Sequence, residues 1–364
     1  MAQNAGFDLD EPQHYSRLDP SGLRNRLREL PRHCELAWRE TRGFPFPEYR
    51  RPTDRVVIGG MGGSAIAGDL LADLSSLQAT VPILVVRGHR LPFTLDERTL
   101  FIACSYSGNT EETLSLFRQA TQAKARVMAI SSGGTLADLA REHRVPLLPV
   151  GISGEPRSAV GYNLMLLLGA VERLGLVRVP EEEVIAAVAS LLHRVSCLRE
   201  DVPIQDNPAK QLARELRDKL ILIYGSGLFT GAARRWKSQL NENAKAWAFA
   251  ETIPELLHNS VEAFGNSSTL AAGTMALLLR PNGGELGAGR HHSVVSELLR
   301  RNDIPHRILQ EEGGPPLGQL LGMVLLGDYV SYYLALLRGV NPSPTPAIVA
   351  GKALLAGAAD PGRE

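Results

Sequence analysis

Two loops of this 364-residue chain combine glycine with hydroxyl side chains in the way expected of a phosphate-binding site. Glycine lets an anion approach the backbone closely, hydroxyl groups donate hydrogen bonds to it, and free N–H groups at a helix start favour negative charge. The candidate phosphate ligands are Gly62, Gly63, Ser64, Ser105, Ser107 and Thr110. Together they predict a site that holds one anion with uncharged donors.

Each loop directly follows a run of β-forming apolar residues. RVVI (55–58) precedes the first loop, and TLFIA (99–103) precedes the second. If both runs are strands of one parallel sheet, both loops leave its carboxyl edge, which is where open α/β sheets bind ligands. The order of residues therefore predicts that the two loops lie close together and that each opens a helix.

The wider pattern predicts the elements that position these loops. Residues 1–51 are expected to form a helical extension, and in residues 52–180 five apolar runs alternate with helical segments, as in a parallel sheet with right-handed crossovers. A helix and a linker occupy residues 181–210. Residues 211–340 then begin again with an apolar run and a glycine-containing turn, and residues 341–364 form a C-terminal tail. Because the second unit lacks the hydroxyl cluster, one phosphate site is expected in each chain.

The composition favours a globular protein of the cytoplasm. The chain is 44% hydrophobic and 21% charged, and its formal net charge of +0 predicts no basic surface for nucleic acid or anionic membrane. The most apolar stretch, 317–337, is interrupted by Gln319 and Asp328, and the N-terminus lacks the pattern of a signal peptide. Three widely spaced cysteines suit a reducing compartment. We therefore expect a cytoplasmic protein with neither a nucleic-acid partner nor a membrane partner.

Five motifs in the chain resemble those of one enzyme family. They are GGMGGSAIAGD (59–69), CSYSGNTEET (104–113), EPRSAVGYN (155–163), LNENAKAWAF (240–249) and ETIPELLHNSVE (251–262). In this order they are similar to the double sugar isomerase (SIS) domain enzymes called bifunctional phosphoglucose/phosphomannose isomerases. The resemblance implies an α/β fold class, with two SIS domains that are each a doubly wound, flavodoxin-like parallel sheet flanked by helices.

The resemblance also implies an activity. It is that of a metal-independent aldose–ketose isomerase, which interconverts glucose 6-phosphate and mannose 6-phosphate with fructose 6-phosphate through a cis-enediol. The ligand would be a small-molecule sugar phosphate, no cofactor would be needed, and the enzyme would be a homodimer with a shared active site.

The resemblance assigns roles to residues outside the phosphate loops. Glu242 is implied as the base that moves the proton, and His258 as the group that opens the sugar ring from the neighbouring chain. Arg157 would stabilise the enediolate oxygens. The C-terminal pocket residues carried over are Thr345 and Lys352, with Ser343 as a rival for Thr345.

The residue types suit that chemistry, but each has a simpler explanation that the sequence leaves open. A carboxylate, a histidine and a cation would suffice for proton transfer through an enediol, and Glu and His have ordinary pKa values that fit neutral pH. Glu242 could instead pair with Lys245 at i, i+3 on a solvated helix. His258 could lie in the core or at a helix end, and Arg157 could form a surface ion pair.

Other chemistries compete for the same motifs. Gly60, Gly62 and Ala65 fit the G-x-G-x-x-A dinucleotide fingerprint, but Arg87 stands near where the acidic residue is expected, so a hydride-transfer enzyme is disfavoured. Metal sites are conceivable from Glu255 with His258 or from His291 with His292. Neither set is complete, and we predict no metal.

A second functional class also remains open. SIS domains can serve as sensors that bind a phosphosugar without converting it. The retention of Glu242 and His258 favours turnover over binding alone.

Overall fold

The chain folds around two parallel β-sheets in a computed structural model that describes residues 7–49, 52–76, 78–266, 268–283, 288–311 and 313–357. The strands of the first sheet are β1 (Arg55–Gly60), β2 (Ile83–Val86), β3 (Thr99–Cys104), β4 (Arg126–Ser131) and β5 (Leu147–Pro149). Those of the second sheet are β6 (Leu220–Gly225), β7 (Ala248–Thr252), β8 (Thr274–Leu279) and β9 (His306–Leu309). The predicted strands of the first half are thus present, with ends shifted by a few residues.

Both sheets have the strand order of a doubly wound fold. The first runs β2-β1-β3-β4-β5 and the second β7-β6-β8-β9, and all pairs are parallel. The first strand of each sheet, β1 or β6, therefore has neighbours on both sides. The order in which successive strands are added reverses at that strand, which creates the crevice where such sheets bind ligands. This arrangement confirms the predicted flavodoxin-like α/β fold class.

Alternate residues of the strands pack into different cores, because side chains of a strand point to opposite faces. Val56 and Ile58 of β1 enter the large core that runs through both halves of the molecule. Val57 and Phe101 enter a second, smaller core on the other face of the first sheet. Both faces of the sheet are thus covered by helices, as the continuous apolar runs require.

Helices flank each sheet and precede it. Those of the N-terminal extension and the first half are α1 (Tyr15–Leu18), α2 (Leu23–Arg28), α3 (Leu30–Gly43), α4 (Gly62–Ser75), α5 (Glu111–Gln122), α6 (Gly134–Glu142), α7 (Val160–Arg173) and α8 (Glu181–Leu198). Those of the second half are α9 (Pro208–Glu215), α10 (Thr230–Glu242), α11 (Ser268–Gly273), α12 (Ala288–Arg301), α13 (Pro316–Leu337) and α14 (Pro346–Gly357). Helix α4 contacts α10, so the two halves meet helix to helix.

Helix α13 is the central helix of the molecule. It is apolar on every side and long enough to cross a membrane, yet it is buried within the protein against α8, α9 and α10. A helix that is apolar all round belongs in a core. Its polar exceptions, among them Asp328 and Ser331, are also buried.

The predicted linker contains the start of a helix. Within residues 201–210, Asn207 accepts hydrogen bonds from the N–H groups of Ala209 and Lys210, and Pro208 occupies the first turn of α9. Asparagine is a favoured N-cap and proline is tolerated at the first helical position, because its missing N–H would have no partner there. The Asn-Pro pair is therefore a helix-start signal rather than a linker signal.

Candidate active site

The two phosphate loops begin side by side. Gly60 of β1 pairs with Cys104 of β3 in the parallel register, so the loops that follow leave the same edge of the sheet. The first loop enters α4, which starts at Gly62, and the second enters α5, which starts at Glu111. Free N–H groups of both helix starts thus lie at this edge, as an anion site requires.

Hydrogen bonds fix the shape of the second loop. The hydroxyl groups of Ser105 and Thr110 lie 2.9 Å apart, and the Ser105 hydroxyl also accepts from the N–H of Gly108 at 3.1 Å. Ser107 is exposed and its hydroxyl accepts from the N–H of Asn109 at 3.3 Å. The loop is therefore ordered by its own hydroxyl groups, while Ser107 stays accessible.

Two glycines of the first loop stand where a side chain would collide. A Cβ at Gly60 would lie 2.9 Å from the carbonyl oxygen of Cys104, and one at Gly63 would lie 3.2 Å from that of Pro156. Gly62 has a φ of +51°, which favours glycine. Ser64, the remaining candidate of this loop, is buried in the first turn of α4. The close approach at Gly63 places the first loop directly against the segment that carries Arg157.

Arg157 is held tightly, and it is not a surface ion pair. Its side chain lies in a buried position, with only 6% of the residue exposed. Its Nε donates to Asn243 Oδ1 at 2.8 Å, and its Nη2 donates to the carbonyl oxygens of Pro342 at 3.0 Å and Ser343 at 2.6 Å. Burial lowers the pKa of Arg157, while the nearby carboxylate of Glu242 opposes that change.

The remaining guanidinium nitrogen of Arg157 faces Glu242. The distance from Arg157 Nη1 to Glu242 Oε2 is 3.6 Å, and 28% of the Glu242 side chain is exposed. Glu242 is the last residue of α10, so its carboxylate lies where the helix ends. The base predicted for proton transfer thus stands beside the predicted cation, with access to solvent.

Lys245 does not form the predicted alternative ion pair with the Glu242 carboxylate. Its Nζ instead donates to main-chain oxygens, at 2.8 Å to Glu242 and 2.9 Å to Asn341. Weaker contacts reach the oxygens of Asn243 at 3.2 Å and Pro342 at 3.4 Å. Burial and the charge of Arg157 lower the pKa of Lys245 to about 8.

Lys245 therefore joins the end of α10 to the C-terminal segment, a role that sequence reasoning missed. The signal for it was a basic residue just beyond a helix end, where free carbonyl groups are available. Lys245 itself has a φ of +52°, as residues that terminate helices often do.

The C-terminal candidates differ in how the structure uses them. Ser343 contributes its carbonyl oxygen to Arg157, and its hydroxyl accepts from Ser21 Oγ at 2.5 Å. Thr345 is half-buried, and its carbonyl oxygen accepts from the N–H groups of Ile348 and Val349, which starts α14. Lys352 is exposed on that helix. The contacts thus join Ser343 to the Arg157 cluster and leave Lys352 outside it within one chain.

His258 is exposed and apart from this cluster. It ends a short 3-10 helix, Glu255–His258, that follows β7, and its side chain makes no hydrogen bond to another described residue. In the part of the chain that the structure describes, no three His, Cys, Asp or Glu side chains gather as metal ligands would. His292, from the other conceivable metal pair, is buried and contacts the carbonyl oxygen of Leu279 at 3.2 Å.

Arg87 is engaged elsewhere. Its Nη2 lies 2.5 Å from Asp69 Oδ2 on α4, the helix that follows the first loop. The residue that stands near the position expected for an acidic group thus pairs with a carboxylate of the protein itself.

Known proteins resemble this chain in sequence and in fold. The model of the bacterial phospho-glucose isomerase C-terminal SIS domain matches residues 205–355. A bifunctional phosphoglucose/phosphomannose isomerase of Caldicellulosiruptor bescii is 32% identical over 320 residues, which cover 88% of this chain and 94% of that protein. The same enzyme of Thermoplasma acidophilum is 34% identical over 300 residues, 80% of this chain and 87% of that protein.

Among solved structures, a hypothetical protein of Thermus thermophilus superimposes with a TM-score of 0.71. The match covers 97% of this chain and 98% of that one at 16% identity, so it shows a common fold.

Proposed function

Since the chain belongs to the bifunctional phosphoglucose/phosphomannose isomerase family and is a sugar-phosphate isomerase, we propose that it interconverts glucose 6-phosphate and mannose 6-phosphate with fructose 6-phosphate. The observation that carries this proposal is the approach of Arg157 Nη1 to Glu242 Oε2, at 3.6 Å. Gly63 packs against the segment of Arg157, so the phosphate loops are part of the same site. A phosphate anchor, a base and a cation are thereby adjacent.

In this mechanism the phosphate binds to the N–H groups of Gly62 and Gly63 and to the hydroxyls of the two loops. The Glu242 carboxylate removes the proton from C2 of the open-chain aldose, and the electron pair forms the C1–C2 double bond of the enediolate. Glu242 then returns the proton to C1, while the proton of the C2 hydroxyl moves to the oxygen on C1, so that the C2 carbonyl and the C1 hydroxyl of the ketose form together. The cationic Arg157 stabilises the negative charge on the oxygens during this transfer.

The mannose reaction needs protonation of C2 from either face. The residues best placed to hold the sugar at that step are those of the C-terminal segment, Ser343 or Thr345. Lys352 of α14, which is exposed in one chain, would contact the sugar oxygens as the family resemblance implies. His258 would open the ring by proton transfer to and from the ring oxygen.

We propose further that the enzyme is a cytoplasmic homodimer in which His258 comes from the partner chain. His258 is exposed, and the segment before it displays Trp247, just ahead of the edge strand β7, and Phe249 within that strand, which are 75% and 49% exposed. Large apolar side chains of α14, including Leu354 and Leu355, are also exposed. Exposed apolar side chains of this kind favour burial in an assembly. All three cysteines are free, which suits a reducing compartment.

The test is a rate measurement with two single variants and their mixture. Glu242→Gln should lower kcat by about 100-fold to 10,000-fold, because it removes the base while preserving shape. It should also abolish exchange of the substrate C2 proton with deuterated water, measured by NMR. His258→Ala should fail with cyclic substrate, and a mixture of the two inactive variants should recover activity through hybrid dimers with one intact site.

Matched controls are Glu297→Gln on α12 and His143→Ala, since both side chains lie outside the described site. An active Glu242→Gln enzyme would contradict the proposed base. Binding of fructose 6-phosphate by the wild type without any conversion would favour the sensor. A mixture without activity, despite demonstrated exchange of chains, would contradict the shared site.

A further inference from the structure

A buried ion pair lies directly behind Arg157. Arg235 on α10 and Asp328 on α13 form two hydrogen bonds, Nε to Oδ1 at 3.0 Å and Nη2 to Oδ2 at 2.9 Å. Both side chains are almost fully buried, at 2% and 4% exposure. Such a pair adds little to the stability of the fold, because the free energy needed to remove two charges from water is about as large as the free energy gained from their attraction. Its presence in an apolar helix therefore requires another explanation.

The ion pair supports the main chain of Arg157. Besides binding Asp328, Nη2 of Arg235 donates to the carbonyl oxygen of Arg157 at 2.8 Å. Asp328 holds the Arg235 guanidinium by two bonds, so the plane of that guanidinium is fixed. The third bond then fixes the position from which the Arg157 side chain leaves the backbone.

A second support from the same turn of α13 reaches the side chain of Arg157. The Ser331 hydroxyl donates to the carbonyl oxygen of Asp328 at 2.8 Å and accepts from Asn243 Nδ2 at 2.9 Å. Asn243 Oδ1 in turn accepts from Arg157 Nε at 2.8 Å. Thus one turn of α13 holds Arg157 in two ways. It holds the backbone of Arg157 through Arg235, and it holds the guanidinium of Arg157 through Asn243.

We propose that this positioning unit, composed of Asp328, Arg235, Ser331 and Asn243, sets the catalytic alignment of Arg157 with Glu242. The inference rests on the proposed function, in which Arg157 stabilises the enediolate. None of the four residues needs to contact the substrate. The unit acts by fixing the one guanidinium nitrogen that faces Glu242, at a distance where small displacements matter. A misplacement of about 1 Å in an active site can cost about 100-fold in rate.

The test replaces the ion pair by apolar side chains of similar size, Arg235→Met with Asp328→Leu. Replacing the ion pair itself is often neutral or stabilising for the fold, so the melting temperature should fall by no more than the loss of the single bond to the Arg157 carbonyl oxygen causes. The rate should fall, because the carbonyl group of Arg157 loses its donor. We expect kcat to drop by about 10-fold to 100-fold while KM changes by less than about threefold. A variant with an unchanged kcat would overturn the inference.

A control ion pair and a milder variant separate an effect on the rate from an effect on folding. Arg42→Met with Glu172→Leu removes a more exposed ion pair between α3 and the far end of α7, about 18 Å along that helix from its first residue, Val160. It should leave kcat unchanged. Ser331→Ala removes only the second support and should lower kcat by about threefold to tenfold without unfolding.

A double-mutant cycle shows whether the unit acts through Arg157. Arg157→Ala and the Met/Leu pair should not be additive, so the combined variant should be no slower than Arg157→Ala alone. Additive losses would mean a merely structural role and would overturn the inference. If Arg157→Ala is itself fully active, the proposed role of Arg157 fails together with its support. If Arg157→Ala is slow and the Met/Leu pair is not, only the positioning unit fails.

Discussion

Asp73 provides a quantitative test of how the two halves of the molecule are joined. It lies on α4, and its Oδ2 accepts a hydrogen bond from the N–H of Gly231 in the first turn of α10. Burial raises the pKa of Asp73 to about 7, and the charge of Asp69 adds to that rise. The bond from Gly231 and the charge of Arg234 oppose it. The junction between α4, which follows the first phosphate loop, and α10, which carries Glu242, thus contains a carboxyl group whose charged form is disfavoured.

The direction in which stability changes with pH follows from the pKa of Asp73 in the folded and the unfolded protein. The pKa of Asp73 is about 7 in the folded protein and starts from 3.8, so the folded state holds a proton that the unfolded chain has already released. Stability that is present below about pH 4 is therefore lost as the pH rises toward 7, and the loss is complete above it. Asp73→Asn keeps an oxygen to accept from Gly231 but cannot ionise. It should stabilise the protein at pH 8 and have little effect near pH 4.

The size of this gain has a ceiling. A pKa raised from 3.8 to about 7 corresponds to about 4 kcal/mol, at 1.36 kcal/mol for each pKa unit. Asp73 is only half-buried and Arg234 is close, so water and that charge reduce the gain to about 1–2 kcal/mol. Such a gain raises the melting temperature by about 1–3 °C, because the entropy of unfolding is about 2.1 cal/mol/K for each residue of this 364-residue chain.

The assay is thermal unfolding at pH 8 and at about pH 4.5, followed by circular dichroism and by the fluorescence of the tryptophans, of which Trp236 is buried in α10. Asp138→Asn is the control, since Asp138 is exposed on α6 and pairs with Arg141, away from Asp73. It should change the stability little at both pH values. An equal gain for Asp73→Asn at the two pH values, or a loss at pH 8, would refute the reasoning.

Two further predictions concern the site itself. Gly63→Ala should lower kcat/KM by about threefold to tenfold, because the new Cβ would press on the carbonyl group of Pro156 and shift Arg157. The control is Gly43→Ala, because a Cβ at position 43 would meet no neighbouring atom. The kcat of the wild type should decline as the pH rises through about 8, where the Lys245 ammonium that holds the carbonyl groups near Glu242 is lost. In a profile of kcat over pH 6–10, Lys245→Met should be slower at neutral pH and lack that decline. The control Lys237→Met should keep the decline. If Lys245→Met retained the decline, the titrating group would be another residue.

The fold was largely predictable because its strands are continuous apolar runs. Strand β1 begins at Arg55 as expected and continues through Gly59 and Gly60, and its apolar residues fill cores on both faces of the sheet. The expected linker over 201–210 was less accurate. There the composition resembled a loop, while the pairing of Asn207 with Pro208 started a helix. Such local signals decide boundaries that composition leaves open.

The site was predictable only in part. The motifs pointed to Arg157 and Glu242, and the structure brings these two side chains together. No pattern in the chain announced their support, because Arg235 contacts residues 78 and 93 positions away in the sequence. His258 and Lys352 are exposed in one chain, and no pattern in the sequence specified that exposure.

The polar residues of α13 bear on two questions: whether the helix spans a membrane, and which parts of the structure the helix holds in place. Gln319 and Asp328 are the interruptions that made this stretch a poor candidate for a membrane span. Gln319 accepts from the N–H of Asn282 at 2.9 Å and donates to the carbonyl oxygen of Gly314 at 2.8 Å, so it ties down the loop after β8. Asp328 holds Arg235. Because a buried polar group is costly without partners, each interruption of an apolar core helix indicates a structure that the helix must hold in place.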